Sequence, residues 1–340
     1  MRFIGIDVHK RICSACVLNE KNQAELELSD FDTTPEGFME ITERYSPLQC
    51  RILIENSTRS HFVEKYFKGL GYDIVVAHAA DLPQIGMAKV KNDRIDARKL
   101  AEILLNMTEG RQKVKLSRLS DDENMKDKAL CRMCAECTVI KNQMILRIQE
   151  YVSLHNIVLP ESYKSVDSSR SVRFLRKEND PALNMMLNMM EAAINEIEKA
   201  EEMIEERFSG NEDVNILMTM KGIGTRTAST LITAIDGIER FDHPDKLVSY
   251  FGLNPQTRES AGKRRYGRIT KDGDPLVRFG LANVVMVHSL FCRGSQIAKF
   301  YRRMSKRMPH WKAVTATARK IVCAIWAMLT RKEPFRSNPA

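Results

Sequence analysis

Apolar and polar positions change period several times along the chain. Residues 2–8 (RFIGIDV) form an apolar run of strand length. Arg11–Leu18 and Ala24–Phe31 predict two more strands, joined by short turns at His9–Lys10 and Glu20–Asn22. Thr33–Thr34–Pro35–Glu36 predicts a helix start, with a threonine cap, a proline in the first turn and an acid near the positive dipole end. Residues 51–55 (RILIE) and 73–78 (DIVVAH) predict two more strands. Between them a helix runs from about Ser60 to Lys68, closed by Gly69 and Gly71. From Asp93 to Asn106 the spacing of Ile95, Leu100, Ile103 and Leu104 is helical.

The resulting order, βββ-α-β-α-β-α, predicts an α/β domain with a mixed sheet over 1–110. Three leading strands in hairpin order, followed by alternation, is the order of RNase H-like domains. The polar stretch 110–122 reads as a linker. From Glu123 to about Phe208 the pattern is helical, with breaks around Pro160–Asp167 and at Asp180–Pro181. Met186, Met189, Met190, Ile194 and Ile197 recur at heptad-like spacing. This fits a coiled coil and, equally, an ordinary arm of a helical bundle. A helical, coiled-coil middle is therefore expected over 111–210. Helices resume at Val214, interrupted by a Gly- and Arg-containing loop at Asn254–Asp274. They predict a mostly α domain over 211–332 with a helix-hairpin-helix-like segment.

The chain has 340 residues, 43% hydrophobic and 29% charged, enough for more than one core. No continuous apolar run reaches the roughly 18 residues of a membrane span. Met1–Lys10 lacks a signal-peptide layout, so the expectation is a cytoplasmic protein without a membrane partner. The net charge is +9 and the pI about 9.1, a balance that favours an anionic partner such as nucleic acid. The charge is unevenly spread. From Arg293 to Lys332 there is no Asp or Glu, while Lys299, Arg302, Arg303, Lys306, Arg307, Lys312, Arg319 and Lys320 accumulate. Phe300, Tyr301 and Trp311 among them suit backbone grip and base stacking, or else a solvated helix face with core aromatics. Cys131, Cys134 and Cys137 on a helix, and Cys13 and Cys16 in a strand, lack the turn context of zinc pairs and read as small apolar residues.

Two constellations carry candidate chemistry. Asp7 ends the first strand and Glu55 the fourth, and neighbouring strand ends converge on one sheet edge. Asp93 and Asp96 lie three apart on a helix and so share a face. Each acid alone has an ordinary reading as a turn, cap or ion-pair residue; Asp96, for instance, could pair with Arg94 or Lys99. Four together would repel unless cations neutralise them. Mg²⁺ prefers oxygen ligands, and two ions can clamp a phosphodiester. A phosphate-cradling glycine loop is missing after Asp7, where Val8–His9–Lys10 follow, which counts against an actin-like nucleotide site.

In the C-terminal part, Lys221–Gly222–Ile223–Gly224 lies between two apolar helical stretches. It can offer backbone N–H groups to a DNA phosphate, or be a plain tight turn. Ser260 follows in a strongly basic loop with Arg258, Lys263, Arg264, Arg265, Arg268 and Lys271, and Arg278 extends the basic surface. Such cations can hold a phosphate for a serine nucleophile, although most serines in basic loops are turn residues.

The chain resembles the DEDD transposases, the Piv-type recombinases of insertion sequences. The resemblance rests on Gly5–Ile6–Asp7–Val8–His9–Lys10, on Ile54–Glu55–Asn56–Ser57–Thr58, and on Lys91–Asn92–Asp93–Arg94–Ile95–Asp96–Ala97. It continues in Gly222–Ile223–Gly224, Gly252–Leu253–Asn254–Pro255, Ser260–Ala261–Gly262–Lys263 and Gly267–Arg268–Ile269–Thr270–Lys271–Asp272–Gly273. It implies a RuvC-like N-terminal domain whose Asp7, Glu55, Asp93 and Asp96 bind Mg²⁺. Ser260 would form a transient phosphoserine bond with DNA, with Thr257 a weaker alternative. The middle helices would be a coiled coil in a dimer or tetramer, and a structured bridge RNA would pair with donor and target double-stranded DNA. Where many relatives carry Gly-Gly-Lys after the serine, this chain has Ala261–Gly262–Lys263. Two rival readings remain at this point: a Holliday-junction-type nuclease using water, and a nucleic-acid-binding protein whose acids are structural.

Overall fold

Strand β1 (Arg2–Val8) is the centre about which the N-terminal part is built. It pairs antiparallel with β2 (Ile12–Leu18), which pairs antiparallel with β3 (Ala24–Asp32). On its other side it runs parallel to β4 (Cys50–Glu55), which runs parallel to β5 (Asp73–Ala77). The sheet order is β3-β2-β1-β4-β5-β6. The last strand, β6 (Leu116–Ser117), is antiparallel to β5 and lies in the stretch whose polarity reads as linker; two residues are too few for any period to show. This computed structural model describes residues 1–78, 82, 93–163, 165–260 and 263–337. For Asp93, 257–260 and 263–266 it describes the backbone alone.

Alternation along β1 and β4 sorts side chains into two layers. Ile4, Ile6, Val8, Ile52 and Ile54 face a core shared with Ile41 of α1 (Met39–Arg44), with Phe38 just before it, and with Val63 and Phe67 of α2 (Ser60–Gly69). Phe3 and Leu53 face the opposite core, against Ala97, Leu100, Ala101 and Leu104 of α3 (Asp93–Thr108). The helix expected from Thr34 begins only at Met39. Thr34 Oγ1 instead accepts from the Gly37 amide at 3.2 Å, and Gly37 sits against the Asp32 carbonyl, so a turn precedes the helix.

The chain divides into two compact units, Met1–Leu119 and Ser120–Ala340. In the second, α4 (Asp122–Leu154) and α6 (Pro181–Arg207) run antiparallel: Arg207 near the end of α6 bonds Asp127 and Glu123 at the start of α4. Their far ends close on α5 (Ser169–Leu175) through Met144, Ile148, Leu175, Leu183 and Leu187. Asp121 and Asp180 cap α4 and α6, each accepting an amide hydrogen bond in the first turn. Cys131, Cys134, Ala200 and Ile204 join the core of the remaining helices. These are α7 (Glu212–Met218), α8 (Thr225–Ile235), α9 (Pro244–Tyr250), α10 (Pro275–Phe291), α11 (Gln296–Ser305) and α12 (His310–Arg331).

One expectation changes here. Asn254–Asp274 is not simply a loop: β7 (Pro255–Ser260) and β8 (Lys263–Ile269) form an antiparallel hairpin. Its charged residues lack apolar alternation, so no strand signal shows in the sequence. And α12 is long and apolar enough, by length and composition, to cross a membrane, although Arg319 and Lys320 interrupt its apolar run. Half of its apolar window is buried, and Val314, Ala318, Ile321, Val322 and Ile325 belong to the helical core.

Candidate active site

One glycine sets how closely the helix of Asp96 approaches the strand of Asp7. Gly5 lies on the α3 side of β1, and a Cβ there would overlap the Ala97 carbonyl and stand 2.8 Å from Leu100 Cβ. Its absence lets α3 lie directly on the strand, one residue past Asp96 and two before Asp7. By alternation Asp7 is on this same face, and so is Glu55. The β1/β4 register ends at Ile6↔Ile54, so Asp7 and Glu55 are the next residues of two adjacent parallel strands.

Asp96 is buried at 3% exposure, and its Oδ1 is 3.1 Å from Lys99 Nζ. Asp7, 14% exposed, pairs with His9 Nε2 at 3.3 Å. The His9–Lys10 turn is held from outside: Thr33 Oγ1 donates to the His9 carbonyl at 3.1 Å and Arg59 Nε to the Lys10 carbonyl at 3.2 Å. After β4, Ser60 Oγ donates to the Glu55 carbonyl at 2.9 Å and accepts from the Ser57 amide at 2.6 Å, fixing the turn that presents Glu55. Asp93 is the first residue of α3, one turn before Asp96. Its side chain, and Lys91–Asn92 before it, lie outside the described residues.

These donors are carboxylate oxygens, the set that suits a hard divalent cation. Asp96 supports the fit, being a buried carboxylate that already keeps a cation, the Lys99 ammonium, beside it. Among the described residues, which leave out the Asp93 side chain, no three acidic, His or Cys groups stand together at metal-binding distance.

In the second unit Ser260 ends β7, in register with Lys263. Arg258 opposes Arg265, and Glu259 opposes Arg264. The side chains of Ser260, Arg258, Lys263, Arg264 and Arg265, like Ala261–Gly262, lie outside the described residues. The hairpin's base is firmly seated. Gly252 (φ +66) packs where a Cβ would stand 2.6 Å from the Asp272 amide, and Lys271 donates its amide to the Gly252 carbonyl at 3.1 Å. Arg268 and Lys271 are exposed. Arg278 is turned inward: its guanidinium donates to the Gly273 carbonyl and, at 3.3 Å, to the Phe251 carbonyl.

The Gly222–Ile223–Gly224 turn joins α7 to α8. Gly222 (φ +103) fits against α10, where a Cβ would meet the Val284 carbonyl at 3.2 Å. The Lys221 carbonyl accepts from buried His288 Nδ1 at 3.0 Å. That bond makes His288 Nε2 the acceptor of the Ser295 hydroxyl, 2.9 Å away. Lys221 Nζ lies 5.9 Å from the Phe291 ring centre. Gly224 caps α8 without a side chain, and space for a Cβ there is open.

Two family models match this chain. One, described as a transposase of the DEDD IS110 type, covers residues 4–152; the other, described as the transposase IS116/IS110/IS902 family, covers residues 214–302. The chain belongs to the DEDD transposases of the IS110 family. A probable family 20 transposase of Pseudomonas aeruginosa is 25% identical over 152 residues, 44% of this chain and 44% of that protein. A transposase of insertion sequence element IS1111A from Coxiella burnetii is 27% identical over 139 residues, 40% of this chain and 38% of its own. The chain thus spans under half the length of these two family members. It matches 85% of a transposase of element IS1328 from Yersinia enterocolitica, at 24% identity over 84% of this chain. For this DEDD transposase, the residues that sequence reasoning missed are His9 and Ser60, whereas the pairing of Lys99 with Asp96 was one of its readings. His9 pairs with the Asp7 carboxylate and Ser60 holds the Glu55 carbonyl, both over short stretches of chain.

Proposed function

We propose that this transposase cuts and rejoins double-stranded DNA at the ends of an insertion sequence and at its target. The observation that carries the reading is the bare Gly5 contact, which brings the helix of Asp93 and Asp96 onto the strand of Asp7 beside Glu55. The strand order β3-β2-β1-β4-β5, with acids at the ends of β1 and β4, supports an RNase H-like, RuvC-like assignment of the first unit. Asp7, Glu55, Asp93 and Asp96 would hold Mg²⁺, in our reading two ions. Bound there, the cation would neutralise charge on the scissile phosphate.

Ser260 is our nucleophile. Its Oγ bonds to phosphorus and displaces one DNA oxygen, giving a phosphoserine link; a DNA hydroxyl then reverses the exchange and rejoins the strand. The hairpin register favours Ser260 over Thr257. Period-2 alternation groups position 260 with Lys263, Arg258 and Arg265, a set without an acid, whereas position 257 falls with Glu259. The exposed Arg268 and Lys271 are our further candidates for holding nucleic acid. Guidance by a structured bridge RNA is carried by the family resemblance together with the acid-free run from Pro275 to Lys332. Assembly into a dimer or tetramer is supported by α4, where Met133 and Ile140, and Val139 and Leu146, repeat at seven residues and are 41–65% exposed.

The test is strand exchange on element-end DNA with Ser260→Ala and Asp7→Ala, each of which should abolish it. Denaturing gels should trap a covalent protein–DNA adduct in the active enzyme and none in Ser260→Ala. Mg²⁺-dependent cleavage that survives Ser260→Ala without an adduct would point instead to a junction nuclease using water.

A further inference from the structure

We infer that the cleft between α11 and α12 binds an unstacked nucleotide of single-stranded nucleic acid, at a site separate from the acids and the serine hairpin. The cleft encloses about 630 Å³, within the range that holds a small organic ligand. Lys299 and Arg303 enter it from α11, Lys320 from α12 and Arg336 from the segment after α12; Phe300 and Phe335 supply its apolar wall.

The charge there is uncompensated by the protein. Lys299 and Arg303 are four apart on one helix, where like charges repel, and Lys320 adds a third. None of the three has an acidic partner among the described residues, and α10, α11 and α12 contain no Asp or Glu at all. Only Arg336 is paired, with Glu333 at 3.4 Å. Repelling cations held around one volume are relieved by an anion from outside.

The aromatic part specifies which anion. Arg303 and Lys320 stand 5.4 and 5.9 Å from the Phe300 ring centre, close to the outer limit of a cation–π contact, so both are loosely held there. Phe335 is fixed from behind. Its amide donates to Thr219 Oγ1 at 2.8 Å, and its ring meets His288 edge-on at 5.4 Å. A phosphate among four cations with a base against phenylalanine is the arrangement that recognises single strands without reading sequence. A paired duplex keeps its bases stacked inside and offers only phosphates.

The experiment is equilibrium binding of fluorescent oligo(dT), oligo(U) and a duplex DNA to the full chain, compared with R303E/K320E and with F300L. Phe300→Leu keeps apolar bulk and removes the stacking face. The double charge reversal should weaken single-strand binding by at least about tenfold, and F300L should weaken it severalfold. Duplex binding should change much less in both. The larger loss, on oligo(U) or on oligo(dT), identifies RNA or DNA as the natural occupant. If F300L binds single strands as the parent does, or if duplex binding falls as much as single-strand binding, the proposal is overturned. Binding requires neither Ser260 nor the acids, so S260A should retain it; this separates the site from the cleavage reading.

Discussion

The ammonium of Lys99 stands 3.1 Å from Oδ1 of Asp96, a carboxylate whose side chain is only 4% exposed. The pair is three apart on α3, so a local contact supplies a positive charge to the buried acid of the candidate site. Removing one partner of such a pair leaves the other charge uncompensated. Lys99→Met should therefore lower the melting temperature by several degrees, a loss on the order of 1–3 kcal/mol since Lys99 is itself partly exposed. Added Mg²⁺ should restore much of it, because a ligand that binds the native state stabilises it. Thermal melts with and without Mg²⁺ check this. Equal melting temperatures in both conditions would count against a cation at these acids.

Gly5→Ala changes no chemical group yet should be severe. The new methyl group overlaps the Ala97 carbonyl, and both sides are regular backbone that cannot step aside. The expected cost is about 1–3 kcal/mol, with DNA cleavage lost more completely than stability because α3 carries Asp93 and Asp96. Denaturant melts beside a cleavage assay separate the two effects; retention of full cleavage would break the link drawn from Gly5 to the acids.

Arg278 should behave as a clamp of the hairpin base. With its donors on the Gly273 and Phe251 carbonyls, Arg278→Ala is expected to destabilise by about 1–2 kcal/mol and to leave the salt dependence of DNA binding unchanged. A slope reduced by about one charge would identify Arg278 as a phosphate contact.

Buried thiols predict the alkaline limit. Burial pushes Cys131 and Cys16 up to about 11 from an ordinary value of 9.0. Between those values the unfolded chain has released protons that the folded chain still holds, so stability falls as pH rises through this window and is unaffected below it. Melting curves from pH 7 to 11 should show the decline beginning near 9. At neutral pH both thiols should resist iodoacetamide until the protein unfolds. Prompt alkylation of Cys131 in the native protein would contradict its burial.

Much of this molecule is legible in one dimension. The apolar runs in residues 2–8 and 51–55 mark the strands and put Asp7 and Glu55 at their ends. The spacing of Asp93 and Asp96 gives their shared helix face, and Asp180–Pro181 and Asp274 mark helix starts, because period and capping are local properties of the backbone. The motifs that carry the family resemblance are likewise written along the chain. Other features depend on residues far apart in sequence. Gly5 under Ala97, Thr33 and Arg59 holding the turn after Asp7, and Arg278 turned onto two carbonyls are contacts no local pattern announces. The β7–β8 hairpin stayed hidden because its strands are charged on both sides, and β6 because two residues have no period. Local physics thus names the acids and their elements; packing, which acts between distant residues, decides which of them meet.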